Sequence, residues 1–278
     1  MHCIEPFRAE KCFETFSLVY GRQPAAGEIQ VKTTSAANSI DLAFLPSERS
    51  IVRRGNGRVE TRSFAVGQGG MHGFEPIEFL YDDTPSEYME IRILDVLLEQ
   101  VAAELGCATL NELPERHDMS DPVMWSVCTR YRADILGGWP MDPLAAEASM
   151  LALTMHLMTA YLDSAPRRAT RLPLDHQRLN RINEYVDEHL NGRITIRQLA
   201  DVALVSPYHL IRSFRAATGL TPYEFVLSKR MERARQAIQL ERKSVAAAAA
   251  SVGYRNAPHF RNAFKRYFGL TPSRLSND

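Results

Sequence analysis

Apolar and polar positions follow two different rhythms along this 278-residue chain. Up to about residue 93 they alternate in short runs, which predicts strands at 16–20, 28–32, 39–44, 50–54, 59–66, 77–80 and 88–93. Gly55-Asn56-Gly57 reads as a hairpin turn, because both residue types tolerate positive φ. From residue 94 onward the spacing becomes helical. Residues 95–105 are amphipathic, and Asp121-Pro122 and Asp142-Pro143 each read as a cap followed by a first-turn proline. The helix predicted at 142–163 is apolar on more than one side. Ala148, Leu151, Met155, Met158 and Leu162 form one stripe, and Met150, Leu153, Leu157 and Tyr161 form another. Such a helix needs two burial partners. Either Leu151, Met155, Met158 and Leu162 meet a second protomer in a homodimer, or both stripes are buried within one chain.

Further on, the helical pattern becomes a repeat. SPYHLIRSFRAATGLTP at 206–222 returns as NAPHFRNAFKRYFGLTP at 256–272, with His209/His259, Phe214/Phe264 and Gly-Leu-Thr-Pro at 219–222 and 269–272 identical. Each copy is a short helix with marked ends. Ser206 and Asn256 are N-caps, Gly219 and Gly269 supply the left-handed stop, and Thr-Pro opens the next helix. At 100° per residue, Leu210, Ser213, Phe214 and Ala217 share a buried face in the first copy, with Tyr208, Arg212 and Arg215 opposite. In the second, Phe260, Ala263, Phe264 and Tyr267 form the buried set. Pro258, Asn262, Lys265 and Arg266 lie opposite, with Arg261 and His259 on the shoulders. Arg, Lys and Asn side chains donate to base edges and phosphates, so these fronts suit duplex DNA.

A preceding short helix completes a helix-turn-helix in both cases: ITIRQLADVALV before the first, and SVAAAAASVGY, with a turn one residue longer, before the second. Residues 222–240 read as one connecting helix carrying Lys229, Arg230, Arg233 and Arg235. Its length of about 28 Å, set against about 34 Å for a turn of B-DNA, would let one monomer reach two successive major grooves.

Charge sharpens this division. The formal net charge is zero, yet residues 172–278 hold 17 Lys and Arg against 9 Asp and Glu, a net of +8, which leaves −8 for residues 1–171. A basic module tethered to an acidic one is the footprint of a polyanion binder with a separately tasked partner domain. Residues 164–173 (SAPRRATRLP) suit an interdomain linker, which places a sensor or dimerisation domain at 1–163 and a DNA-binding domain at 174–278. Cys3, Cys12, Cys107 and Cys128 form no C-x-x-C pair, and neither a signal peptide nor a membrane span is evident, so a cytoplasmic protein with reduced thiols is expected.

The whole pattern over 174–275 is L-A…S-x-x-H-L-x-x-x-F…G-x-T-P, then R-M-x-x-A, then A…V-G-Y…H-F-x-x-x-F-K…F-G-x-T-P. It resembles the AraC/XylS family of transcription regulators. The resemblance implies a seven-helix DNA-binding domain with helix-turn-helix units at about 195–217 and 244–268. It puts Tyr208, Ile211, Arg212 and Arg215, then Ala257, Pro258, Arg261, Asn262 and Lys265, against DNA. Arg255, Asn256, His259 and Arg266 complete the second front. The resemblance further implies a cupin-like antiparallel β-barrel that binds a small-molecule effector, and activation through RNA polymerase. The expected fold class is thus α+β. One position departs from the family: Ala248 stands where a bulky aliphatic is usual, as at Leu199, so the second unit is expected to be thinly packed.

Other functions leave weaker traces. No G-x-S-x-G, H-E-x-x-H or Walker sequence is present. A DNA-repair alkyltransferase resembling this family would need a reactive Cys in a P-C-H setting, and Cys128 lies in V-C-T. An architectural DNA binder would show apolar wedges and diffuse lysine. Gly67–Gly73 resembles a phosphate loop but lacks the GKS/T ending, so turn glycines are expected there. His72 with Glu75 and Glu78 lacks the paired H-x-H of metal-bearing cupins; neither a metal nor a cofactor is expected.

Overall fold

The computed structural model describes residues 5–25, 33–75, 77–107, 110–137, 141–162 and 174–275. Ten strands occur among them: β1 Phe7–Cys12, β2 Phe16–Gln23, β3 Thr33–Thr34, β4 Ser39–Ala43, β5 Ser47–Arg54, β6 Val59–Phe64, β7 Gly69–His72, β8 Ile77–Asp82, β9 Ser86–Ile93 and β10 Arg116–Met119. The helices are α1 Asp95–Leu105, α2 Pro122–Leu136, α3 Pro143–Tyr161, α4 His176–His189, α5 Ile196–Ala203, α6 Pro207–Thr218, α7 Pro222–Gln239, α8 Val245–Ser251, α9 Ala257–Phe268 and α10 Pro272–Leu275. The chain divides into two compact units, Met1–Met141 with Ser149–Ala169, and Asp142–Ala148 with Thr170–Asp278. The predicted strand at 28–32 and the predicted linker at 164–173 lie outside the described residues.

The first unit follows from one-in-two alternation. Phe16, Leu18 and Tyr20 of β2 are fully buried, while Ser17 and Val19 point away. They pair antiparallel with β9, from Phe16↔Ile93 to Gln23↔Ser86, whose Met89, Ile91 and Ile93 are equally buried. The strands form two antiparallel sheets, ordered β1-β2-β9-β4-β7-β10 and β3-β8-β5-β6. The expected barrel is therefore not closed: β1 and β10 end one sheet, β3 and β6 the other. The predicted hairpin joins β5 to β6, with Gly57 at φ 80 and Arg58 N–H donating to Asn56 Oδ1 at 3.0 Å.

Strands β7 and β10 were not among those predicted. Gly69–His72 forms β7, wholly buried between β4 and β10. A Cβ at Gly69 would stand 1.9 Å from the carbonyl oxygen of Asp41, so only glycine allows β4 and β7 to approach this closely. The polar β10 pairs with it.

The helix starts are as the caps dictate. Asp121 Oδ1 accepts from Val123 and Met124 N–H at 2.9 Å, and Asp142 Oδ1 accepts from Leu144 N–H at 2.9 Å. Along α3 both stripes are covered by the chain itself: Met150, Leu153 and Leu157 are buried, and so are Leu151, Met155 and Met158. This burial favours the alternative in which one chain covers both stripes. A seam needs exposed side chains, and of the four only Leu162, just past the helix, retains partial exposure.

In the second unit, seven helices enclose two apolar clusters. The first joins Ile182 and Val186 of α4, Leu199 and Ala200 of α5, Leu210 and Phe214 of α6, and Val226 of α7. The second joins Met231, Ala234, Ala237 and Ile238 of α7 with Ala248 and Ala249 of α8 and Phe260 and Phe264 of α9. One unbroken helix thus serves both clusters. At about 1.5 Å per residue its 18 residues span about 27 Å.

Candidate nucleic-acid interface

Each reading helix is placed by its caps and its apolar back. Ser206 Oγ accepts from His209 N–H, and Asn256 Oδ1 accepts from His259 N–H, both at 3.2 Å. Gly219 and Gly269 close the helices at φ 76 and 75. Thr221 and Glu224 form a reciprocal capping box that starts α7 directly afterwards. Before α6 the turn is made by Leu204 in the left-handed region; before α9 it is longer and uses Gly253.

The backs differ from a simple helical wheel. Leu210 and Phe214, then Phe260 and Phe264, are buried as expected, but Ala217 and Tyr267 are exposed. In the second unit Phe268 takes the place expected for Tyr267. It packs on the same cluster with its ring 4.6 Å from that of Phe264, and Leu270 and Leu275 return onto that cluster. The small Ala248 does not leave a thin core. It is fully buried, and the rings of Phe260, Phe264, Phe268 and Tyr254 supply the volume that an aliphatic side chain provides in the first unit.

On the fronts, Arg212 and Arg215 of α6 are exposed, as are Arg255, Asn256, Pro258, Arg261, Lys265 and Arg266 at α9. Tyr208 is half-buried, with the Arg212 guanidinium 5.8 Å from its ring centre. Ile211 packs partly on the first cluster, and Ala257 and Asn262 are half-buried. His259 leans on Tyr254 at 5.2 Å.

Ion pairing separates these cations from those of α7. Lys229 binds Asp187 at 3.0 Å, and Arg233 and Arg235 pair with Glu241 and Glu232. Arg230 donates to the carbonyls of Leu190 and Gly192. The connecting helix therefore spends its charge inside the domain. Among the described residues, Arg212, Arg215, Arg255, Arg261 and Lys265 form no ion pair. Both reading helices thus carry exposed cations without an ion pair, as a polyanion partner requires, and Arg197, Arg242 and Arg274 of the same unit are exposed and unpaired as well.

A family model described as a helix-turn-helix domain matches residues 199–278. A probable transcriptional regulator from Photobacterium leiognathi, LumQ, is 32% identical over 100 residues, which are 35% of this chain and 40% of that protein. The bifunctional transcriptional activator/DNA repair enzyme AdaA of Bacillus subtilis is 34% identical over 101 residues, covering 36% of this chain and 48% of the relative. The chain spans less than half the length of these curated relatives. A solved AraC-type DNA-binding-domain regulator from Chromobacterium violaceum is 25% identical, covering 36% of this chain and 90% of its own, with a TM-score of 0.35. Residues 199–278 are thus similar to a helix-turn-helix domain.

The helix-turn-helix domain accounts for the doubled motif, and the cysteines show no sign of repair chemistry. Cys128 is 1% exposed, and burial pushes its thiol up to about 12, so almost no nucleophilic thiolate forms at neutral pH. Cys12 is exposed and Cys107 half-buried. His72 does not meet Glu75 or Glu78 as a ligand set; Glu78 pairs with Arg53 at 2.9 Å. It lies instead with Glu115 and His117, which the sequence reading missed. No described helix is long and apolar enough to cross a membrane.

Proposed function

We propose that this chain is a sequence-specific transcription regulator that reads double-stranded DNA with α6 and α9 in two successive major grooves. The observation that carries the reading is that each of those two helices has a buried apolar back and an exposed front with cations free of ion pairs, Arg212 and Arg215 on one and Arg261 and Lys265 on the other, while α7 pairs its own internally. Cytoplasmic location and activation through RNA polymerase complete the proposal by likeness to the family. No catalytic role is assigned, in keeping with the buried, high-pKa Cys128. The two-segment reading requires no second protomer. A small-molecule effector would bind in a small cleft, partly open to solvent, in the first unit. Leu42, Phe64 and Phe79 line it with Asp82, Glu87 and Glu90.

The test is selection of bound sequences from a random DNA pool with the full chain, followed by a salt series on the selected and scrambled duplexes. A specific regulator retains a gap of about 10³-fold or more. A gap under about tenfold at every salt concentration would point to an architectural binder instead. On the selected site, Arg212→Ala should cost about 1–3 kcal/mol and relax the preference at one base position. Lys265→Ala should weaken all sequences alike and lower the salt slope by about 1. Unaltered binding by Arg212→Ala would remove that front from the interface.

A further inference from the structure

The pairing of β7 with β10 gathers groups that the DNA-binding reading does not use. Arg116 faces Met71 across this ladder, so its neighbours Glu115 and His117, two residues apart, share one face of β10 near His72. Glu115 Oε2 lies 3.7 Å from His72 Nδ1 and 3.6 Å from His117 Nε2, and all three ligand atoms fall within 4.8 Å of one another. Tetrahedral coordination with bonds of about 2.1 Å places ligand atoms about 3.4 Å apart. Two of the three separations are already within a few tenths of an ångström of that.

The surroundings are those of ligands held in place. His72 Nε2 bonds Asp41 Oδ1 at 2.5 Å, the carboxylate–imidazole arrangement that orients a metal-binding histidine. Its other nitrogen, Nδ1, is buried and has no hydrogen-bond partner among the described residues. Glu115 Oε1 accepts from Gly73 N–H at 2.6 Å, which leaves Oε2 for the cluster. Carboxylates face the cluster from two sides, Asp41 at His72 and Glu115 between the two imidazoles. The Arg54 guanidinium stands 2.5 Å from His117 Nε2 while also pairing with Glu60 at 2.7 Å. A dication entering here displaces the guanidinium beside His117, and Arg54 keeps Glu60 as its partner.

We propose that the N-terminal unit binds one divalent transition-metal ion, zinc(II) being the reference case, through His72 Nδ1, Glu115 Oε2 and His117 Nε2. Two imidazoles and one carboxylate favour a borderline ion over magnesium or calcium, which prefer all-oxygen sets. The test uses tag-free full-length protein stripped by a chelator and titrated with zinc(II) against a chromophoric competitor, with cobalt(II) absorption reporting coordination. One equivalent bound more tightly than about 1 µM is expected. His117→Ala and Glu115→Gln alter groups that are at least partly exposed, so both should fold, as checked by circular dichroism. Each should weaken binding by about 100-fold or more. Arg54→Gln, which removes the competing guanidinium, should leave the affinity equal or tighter. Failure of the unaltered chain to bind an equivalent would overturn the proposal, as would wild-type affinity in both ligand variants.

Discussion

Phe264→Ala should destabilise the second unit by about 3–5 kcal/mol, among the largest losses a single truncation produces. Phe264 is fully buried, with ring centres of Phe260 and Phe268 at 5.5 and 4.6 Å. The cost depends on how far neighbours relax into the void. Here α8 offers Ala248 and Ala249, which have no side chain long enough to reach it. The equivalent Phe214 sits among Leu199, Leu210, Ile182 and Val226, which can partly refill such a space. Phe264→Ala should therefore cost more than Phe214→Ala. Urea unfolding followed by far-ultraviolet circular dichroism measures the loss, and hydrogen exchange on α8 and α9 locates it. A loss below about 1 kcal/mol would mean that the aromatic stack does not hold α9 in position.

Gly69→Ala should destabilise the first unit by about 3 kcal/mol or more, at the upper end for overpacking. The added Cβ would fall 1.9 Å from the Asp41 carbonyl oxygen and 3.1 Å from Leu42 Cα. Both are backbone atoms, so no rotamer change relieves the clash. Asp41 and Leu42 lie in the register Asp41↔Gly70 and Leu42↔Gly69, and the ladder must open to admit the methyl group. Both tryptophans, Trp125 and Trp139, belong to the first unit, so their fluorescence reports its unfolding selectively. An unchanged urea midpoint would show that β4 and β7 separate at little cost.

The parts of the fold that were legible are those with chemistry specific to a position. Ser206, Asn256, Gly219, Gly269 and Thr221-Pro222 mark helix ends that survive in the structure, because each satisfies a backbone group, permits a positive φ or suits a first turn. Likewise, β2 and β9 were legible because one face is buried and the other is not. The misses have the opposite character. β1 and β10 are short and polar and sit at the edges of their sheet, so no apolar period announces them. Gly69-Gly70 reads as loop by composition and is a strand because of what approaches it. Tyr267 and Phe268 are adjacent in the last turn of α9, where the choice between them is made by the tertiary packing of Leu270 and Leu275. The His72, Glu115 and His117 cluster was invisible for the same reason. His72 is 43 and 45 residues from Glu115 and His117, and they meet only through a strand pairing that the sequence does not announce.

The cations of α7 carry a related lesson. Lys229, Arg230, Arg233 and Arg235 look like part of a DNA-binding surface when counted along the sequence. In the fold they bind Asp187, the α4–α5 turn, Glu241 and Glu232. Net charge marks the basic half of the chain, and the pairing pattern shows which of its cations are engaged within the fold.

Because α7 lends Val226 to one cluster and Met231 through Ile238 to the other without a break, the two halves of the domain share a strut that acts as a caliper. Under the proposed reading, each helix can be altered by mutation on its own, whereas the gap between them is set by a rod common to both halves. A site whose two words drift apart would then have to be met by deformation of the duplex.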